Sequence, residues 1–168
     1  IYVNNEKKGK NIKIGENRLF YSNEELDVTI IEIKVKEDCI QNFLELDDKI
    51  KECLSMNKED ISLFLKNIYS TKSIYLPNYP DGKDVVVSYG QSPEIVEEKI
   101  QHKCITNNGS SGSPILLSHN QKVIGVHYGS SNIFEFNKGV LIIYPIIEFN
   151  KNANKLNKMN KHKSINSN

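Results

Sequence analysis

Short apolar runs rich in β-branched residues recur along the first third of the chain, separated by clusters of Asn, Lys, Gly and Glu. These runs are Ile1–Val3, Ile12–Ile14, Leu19–Tyr21 and Leu26–Ile33. Runs of this length between turn-forming residues are typical of β-strands. The last run is apolar on both faces, which predicts a strand inside a barrel or sandwich.

The pattern changes between Asp38 and Ile68, where apolar residues return every three or four positions among Lys and Glu. The apolar positions are Ile50, Cys53, Leu54, Ile61, Phe64, Leu65 and Ile68. Because this spacing places them on one face of a helix, we predict one or two short amphipathic helices here.

A turn-rich segment, Leu76–Gly82, ends the helical region, since its prolines fix φ and its Asp-Gly pair favours a tight reversal. Short apolar runs then return as predicted strands at Asp84–Tyr89, Glu94–Cys104, Pro114–Leu117, Val123–Gly129 and Gly139–Tyr144. Many short strands separated by turns predict an all-β barrel or sandwich with a helical insertion.

One polar segment, Thr106–Ser113, stands out because it holds two glycines among small hydroxyl residues and leads directly into the strand that starts at Pro114. Gly109 and Gly112 allow positive φ, so they can bend the chain until successive backbone N–H groups point into one small space. A serine held at such a bend, Ser111, has the setting that a nucleophile needs.

The charge of the chain is unevenly distributed, although the net value is only +1. The segment Lys151–Asn168 carries five lysines and no acidic residue, which leaves 17 basic against 21 acidic residues in the first 150. A nucleic-acid-binding domain would carry its basic surplus on the folded part. We therefore expect neither a nucleic acid nor a membrane as partner, and we predict a disordered tail. Binding of either one through the lysine tail is the weakest alternative.

The three cysteines, Cys39, Cys53 and Cys104, are odd in number and irregularly spaced, which predicts neither a disulfide framework nor a zinc site. A reducing intracellular compartment is therefore favoured. The chain has no run of about 18 apolar residues and its first residues lack a signal-peptide pattern. We expect no metal and no cofactor.

Attack on a peptide or ester carbonyl needs a nucleophile, a base, a carboxylate that orients the base, and fixed donors for the oxyanion. Ser111 is the candidate nucleophile, the N–H groups of Gly109 and Ser111 are the candidate donors, and Asp27 is the candidate carboxylate. The base must be a histidine. An α/β-hydrolase elbow, Gly-x-Ser-x-Gly, would need glycine at position 113, where the chain has Ser113.

Several of these motifs resemble those of chymotrypsin-like serine proteases. Gly109–Pro114 resembles the Gly-Asp-Ser-Gly-Gly-Pro signature around the nucleophile, and Glu25–Ile31 resembles the Asp-Ile-Ala-Leu-Leu segment around the catalytic Asp. Within that superfamily the chain is most similar to glutamyl endopeptidases, which share the serine bend and a following Val-Ile-Gly-Ile-His-x-Gly strand, here Val123–Gly129. Asn137–Val140 resembles the start of the next strand. The resemblance covers roughly residues 17–149.

The resemblance implies a double β-barrel of the chymotrypsin type and a serine endopeptidase acting on peptide or protein substrates. We assign residues 1–46 to the remainder of a first barrel, 47–72 to a helical crossover, 73–150 to a complete second barrel with the nucleophile, and 151–168 to the disordered tail. The oligomeric state is left open.

The chain departs from the family in its histidines, which are His102, His119, His127 and His162. The family order is His, Asp, Ser, and no histidine precedes Asp27. We therefore expect the sequence to be a fragment that begins after the catalytic histidine and is inactive as it stands. The alternative is a natural pseudoprotease that acts as a non-catalytic, peptide-binding scaffold.

The resemblance also implies a substrate side of the site. It places His127 in the wall of the pocket for the residue before the cleaved bond (P1), with Thr106 as a hydroxyl that reaches the same substrate carboxylate. Tyr128 and Gly129 would offer the backbone edge along which substrate lies as an added strand. A P1 preference for Glu or Gln follows. His102 and Cys104 are expected in the barrel wall.

Overall fold

A computed structural model describes residues 12, 14–15, 18–40, 42–91, 93–130 and 135–165, with side chains up to position 154. The strands are β1 (Phe20–Asn23), β2 (Val28–Ile31), β3 (Ser73–Asn78), β4 (Val86–Gln91), β5 (Glu94–Val96), β6 (Lys99–His102), β7 (Pro114–Leu117), β8 (Val123–Ser130) and β9 (Asn137–Leu141). The α-helices are α1 (Val35–Asp38), α2 (Asp48–Glu52), α3 (Lys58–Tyr69) and α4 (Ile143–Ile165). The predicted strand Ile1–Val3 lies outside the described residues, and Ile12–Ile14 is described only in part.

Seven strands form one antiparallel sheet in the order β4-β3-β7-β8-β9-β6-β5. The sheet is curled, as a contact between its two edges shows. Gly90 of the edge strand β4 lies against Cys104, which follows β6 near the opposite edge. A Cβ atom at Gly90 would lie 2.8 Å from the Cys104 Sγ. The sheet therefore encloses a core on its inner face.

That core consists of aliphatic side chains on alternate strand positions, as expected for strands with one buried face. Ile74, Leu76, Ile100, Ile115 and Ile124 are fully buried. Two glycines allow these side chains to pack closely: a Cβ at Gly125 would overlap Ile100, and one at Gly139 would overlap Ile115.

A two-stranded hairpin, β1–β2, lies outside the large sheet. Leu26, in its turn, is buried in the same hydrophobic core as the sheet residues. Helix α4 packs against both hairpin strands, and its first turn places Ile143 and Tyr144 in the core. The hairpin is thus fixed by packing rather than by strand pairing with the large sheet.

The helical crossover is attached to the large sheet through Asp47, which is buried. Its carboxylate accepts hydrogen bonds from the Tyr69 hydroxyl at 2.7 Å and from the Asn120 amide at 2.8 Å. Burial by itself raises the pKa of Asp47, but these bonds and one from the Lys49 N–H lower it overall. Two backbone bonds complete the attachment: the Asp47 N–H donates to the Val123 carbonyl, and the Val123 N–H donates to the Glu45 carbonyl.

The strand boundaries differ from the predicted ones at two places. Strand β3 continues through Pro77, which the sequence assigns to a loop; β7 pairs only with Ile74 and Tyr75, so the missing N–H of Pro77 breaks no bond to it. The predicted strand Glu94–Cys104 is a hairpin of β5 and β6, because Glu97 adopts a positive φ of 56°.

The chain after β9 also differs from the prediction. Strand β9 ends at Leu141 and α4 begins at Ile143. The predicted strand Gly139–Tyr144 is therefore a strand only as far as Leu141, and its last two residues start a helix. The predicted disordered tail is helical as far as Ile165. Its first turns are anchored in the core, which nucleates the helix, and its five lysines are good helix formers. Among the described residues, no helix is both long and apolar enough to cross a membrane.

Candidate functional site

The segment Thr106–Ser113, called the Ser111 loop from here on, connects β6 to β7. Two successive reversals shape it, with the Ser110 N–H donating to the Asn107 carbonyl at 3.0 Å and the Ser113 N–H donating to the Ser110 carbonyl at 3.1 Å. Gly109 and Gly112 both adopt positive φ, 87° and 88°. The glycines therefore produce the bend that the sequence predicts.

Gly109 is also required by its surroundings. A Cβ atom there would lie 2.8 Å from the Tyr79 carbonyl oxygen and 3.1 Å from the Gly82 nitrogen. These atoms belong to the tight turn that follows β3, and the same turn donates a backbone hydrogen bond from Asp81 to the Asn108 carbonyl. The Ser111 loop thus lies directly against the turn at residues 79–82.

Four backbone N–H groups in the Ser111 loop donate no hydrogen bond to any described residue, those of Thr106, Asn108, Gly109 and Ser111. By contrast, the Gly112 N–H next to them donates to the His127 carbonyl at 2.8 Å. Gly109 and Ser111 are both exposed, so water or a ligand can reach their N–H groups. These are the two donors that the sequence predicts for an oxyanion.

The Ser111 side chain is exposed, and its hydroxyl donates to the Tyr128 carbonyl at 3.1 Å. A second backbone bond, from the His127 N–H to the Ser113 carbonyl at 2.8 Å, holds the loop beside β8. The serine hydroxyl therefore lies next to the strand edge that the resemblance assigns to substrate.

A pocket of about 570 Å³ opens at this point. Five of the predicted site residues line it: Thr106, Gly109, Ser111, His127 and Gly129. Among the described residues, no three His, Cys, Asp or Glu side chains come together as possible metal ligands. Three of the four predicted substrate residues, Thr106, His127 and Gly129, thus line one cavity with Ser111, whereas Tyr128 and Asp27 do not line it.

Asp27 lies at the end of the β1–β2 turn, immediately before β2, and its side chain is exposed. Its φ is 49°, and its N–H donates to the Glu24 carbonyl at 3.3 Å. Burial raises the pKa of Tyr128, and the negative charge of Asp27 raises it further. No hydrogen bond among the described residues joins the Asp27 carboxylate to Ser111.

His127 is buried and pairs with a second buried histidine, His102. The His102 Nε2 and the His127 Nδ1 are 3.2 Å apart, and the rings meet edge to face. Burial lowers the pKa of His102 to about 4, and the neighbouring His127 contributes. Burial likewise lowers the pKa of His127, against an opposing hydrogen bond with the Lys138 backbone. Both rings are therefore neutral at pH 7.

The prediction that His102 lies in the barrel wall beside Ile100 and Cys104 agrees with its burial, but its bond to His127 is not evident from the sequence. Its Nδ1 is buried and has no hydrogen-bond partner among the described residues. The sequence signal for a special role of His102 was its place as a polar residue on an apolar strand face, two residues from both Ile100 and Cys104. Burial raises the pKa of the Cys104 thiol to about 11, which makes it unreactive.

None of the described side chains supplies the base that Ser111 would need. His119 is exposed, in the turn between β7 and β8, and the side chain of His162 lies outside the described part of the chain. His102 and His127 bond to each other, and neither is hydrogen-bonded to the Ser111 hydroxyl.

Sequence reasoning also missed Asn78, a fully buried amide on the inner face of β3. It follows Ile74 and Leu76 at two-residue spacing, so the alternation places it where an apolar residue is expected. Its carbonyl oxygen accepts from the Ser110 hydroxyl in the Ser111 loop at 3.0 Å. A polar residue on the apolar face of a strand was again the available signal.

A curled antiparallel sheet carrying a serine loop, beside a second small sheet and a helical crossover, defines the class of chymotrypsin-like folds. A solved structure of this kind resembles the chain: the serine protease domain of the Sesbania mosaic virus polyprotein, at 20% identity and a TM-score of 0.50. The match covers 81% of this chain and 65% of that domain. No protein-family model and no curated protein sequence matches the chain. The predicted chymotrypsin-like fold is thereby confirmed.

Proposed function

We propose that the chain belongs to a serine endopeptidase in which Ser111 attacks the scissile carbonyl of a peptide substrate. The observation that carries this proposal is the pair of unengaged N–H groups of Gly109 and Ser111 beside the exposed Ser111 hydroxyl. Donors fixed in advance at the site of developing negative charge contribute the largest single part of catalysis in acyl transfer.

The remaining roles follow from the same reaction. A base takes the proton of Ser111 as the acyl-enzyme forms and returns it to the leaving amine, and Asp27 orients that base. By the family order the base would be a histidine that precedes the carboxylate, and no histidine precedes Asp27 in this sequence. No metal or cofactor takes part in this scheme.

The experiment compares the full-length gene product with its Ser111→Ala variant on a mixture of peptides, with products identified by mass spectrometry. We expect kcat to fall roughly 10⁶-fold, as for loss of a serine nucleophile. Ser118→Ala, a serine in the turn after β7, is the matched control and should retain activity. Full activity in Ser111→Ala would rule out this serine as the nucleophile.

A second candidate function is a non-catalytic, peptide-binding scaffold, and it is favoured by one observation, the lack of a histidine before Asp27. It keeps the pocket and the β8 edge without hydrolysis. Calorimetric titration with peptides, with analysis of the products, separates the two functions. If the protein is a scaffold, the wild type and Ser111→Ala bind the peptides equally and neither cleaves them. If it is a peptidase, cleaved product forms with the wild type and not with Ser111→Ala.

For the substrate we propose Glu or Gln at P1, on the support of His127 and Thr106 in the pocket wall. A neutral His127 ring suits the uncharged amide of Gln at pH 7 and above, and its protonation at lower pH would favour the carboxylate of Glu. We therefore expect the ratio of Glu to Gln cleavage to rise as the pH falls from 8 to 5.

The P1 preference is measured as kcat/KM on a peptide series that differs only at P1. His127→Ala should reduce the preference for Glu and Gln by roughly 10–100-fold, the value of one buried polar contact. His119→Ala removes an exposed histidine and is the control. Equal cleavage after Lys or Phe by the wild-type protein would refute the preference.

A further inference from the structure

We propose that Asn78 is a positioning residue for the reaction, because it holds the Ser111 loop in its catalytic shape through the Ser110 side chain. This inference rests on the proposed peptidase function and concerns how the two oxyanion donors are kept in place. Asn78 and Ser110 are both fully buried, and neither touches the pocket.

The link between the two side chains is a short chain of hydrogen bonds. The Ser110 hydroxyl donates to the Asn78 Oδ1 at 3.0 Å, and it accepts from the Asn107 N–H at 3.1 Å. One buried hydroxyl thus joins the start of the Ser111 loop to β3. A fully satisfied buried polar network of this kind specifies one local conformation, since each lost bond leaves a buried group unpaired.

Asn78 is itself fixed by two strands. Its Nδ2 lies 3.2 Å from the Leu76 carbonyl, 3.2 Å from the Val86 carbonyl and 3.3 Å from the Ser88 hydroxyl. Carbonyl oxygens only accept hydrogen bonds, so the amide nitrogen must face them and the Oδ1 must face Ser110. The acceptor for Ser110 is therefore held on the paired strands β3 and β4.

Anchoring Ser110 controls both donors because it lies between them in sequence. The two peptide bonds of Ser110 carry its own N–H and the N–H of Ser111. Gly109 directly precedes Ser110 in the sequence. A second contact acts on the Gly109 side: the Asn108 carbonyl accepts from Asp81. In a trans peptide the carbonyl and the following N–H point in opposite directions, so this bond turns the Gly109 N–H away from residue 81.

The test compares two serines that hydrogen-bond to the same amide of Asn78. Ser110→Ala removes the bond to the Ser111 loop, whereas Ser88→Ala removes a bond on the β4 side, and the Ser88 hydroxyl makes no hydrogen bond to the loop. Ser110→Ala should lower kcat on the best peptide substrate by roughly 10–100-fold with KM changed less than threefold, the pattern of a misplaced oxyanion donor. Ser88→Ala should leave kcat within twofold.

Urea denaturation of both variants shows whether they lose stability to a similar extent. An equal loss of kcat in Ser88→Ala and Ser110→Ala would overturn the inference, because the effect would then follow general destabilisation. An unchanged kcat in a folded Ser110→Ala protein would overturn it as well.

A second readout does not depend on hydrolysis, so it separates failure of this inference from failure of the peptidase function. In ¹⁵N NMR spectra of the protein without substrate, Ser110→Ala should shift or broaden the amide signals of Gly109 and Ser111 and speed their hydrogen exchange. The imidazole signals of His102 and His127 should stay unchanged. Unperturbed Gly109 and Ser111 amides in Ser110→Ala would refute the positioning role even if no peptide is ever cleaved.

Discussion

The two protein groups proposed for catalysis are held in different ways. Ser111 lies on a loop whose flanking segments are hydrogen-bonded to β8 and, through Ser110, to β3 of the seven-stranded sheet. Asp27 ends the turn of a two-stranded hairpin, and its exposed carboxylate makes no hydrogen bond to any described residue. The proposed nucleophile is thus fixed by directed bonds, and the proposed carboxylate by apolar packing of its hairpin.

This difference separates two requirements of the reaction. Oxyanion donors must be rigid before substrate binds, since their contribution depends on fixed dipoles. A carboxylate that orients a histidine receives its geometry partly from the histidine itself, so the hairpin needs only to place it within reach. Packing of Leu26 into the core is enough for that purpose.

The strongest way to test the hairpin side is Asp27→Asn. The amide keeps the size of the side chain but favours the wrong histidine tautomer, so we expect kcat to fall roughly 10⁴-fold with folding unchanged. Glu25→Gln removes the same charge from an exposed neighbour in the same turn and is the matched control. Equal activity of both variants would show that Asp27 has no catalytic role.

On the loop side, the sharpest comparison is Gly109→Ala against Gly112→Ala. Both glycines have positive φ near 88°, so both substitutions carry the same backbone strain. Only at residue 109 does the new methyl group meet backbone, 2.8 Å from the Tyr79 carbonyl, whereas nothing lies within 4 Å at residue 112. We expect Gly109→Ala to lose roughly 10²–10³ in kcat, as for a displaced oxyanion donor, and Gly112→Ala clearly less. The reverse order in steady-state kinetics would contradict the close fit of the loop against the 79–82 turn.

The smallest effect concerns the buried histidine pair behind the pocket and is seen in stability. The pKa of His102 is about 4 in the folded protein, against about 6.5 for an exposed imidazole. The unfolded chain therefore binds a proton that the folded protein rejects, so the free energy of unfolding should fall by roughly 1–3 kcal/mol as the pH drops from 6.5 to 4.

Urea denaturation at a series of pH values measures this loss. His102→Gln should flatten the dependence in that window, since glutamine does not titrate, and His119→Gln should leave it as in the wild type. A wild-type slope in His102→Gln would show that the buried ring is not its source.

Much of the fold could be predicted from local sequence signals, because short β-branched runs between turn residues form few structures other than β-strands. The helices over 48–52 and 58–69 and the strands at β7 and β8 lie where the spacing predicts them. Two misplaced boundaries, Pro77 within β3 and the positive φ at Glu97, depend on which neighbouring strand pairs with each residue. Pairing of this kind is not contained in the local sequence.

The site divides in the same way. Ser111, Gly109 and Thr106 are adjacent in sequence, so one segment was enough to single them out. The partners that fix them are distant: Asn78 is 32 residues from Ser110, and His102 is 25 from His127. Both partners appear in the sequence only as polar residues on apolar strand faces, a signal that identifies an unusual residue without naming its partner.

The central claim, that Ser111 is an activated nucleophile, is tested most directly by covalent labelling of the protein with a fluorophosphonate, followed by peptide mass spectrometry. We predict a single phosphonyl adduct on Ser111, absent from Ser111→Ala and formed much more slowly in Asp27→Asn. An adduct on another serine, or peptide hydrolysis that continues unchanged once Ser111 is fully labelled, would contradict the proposed mechanism.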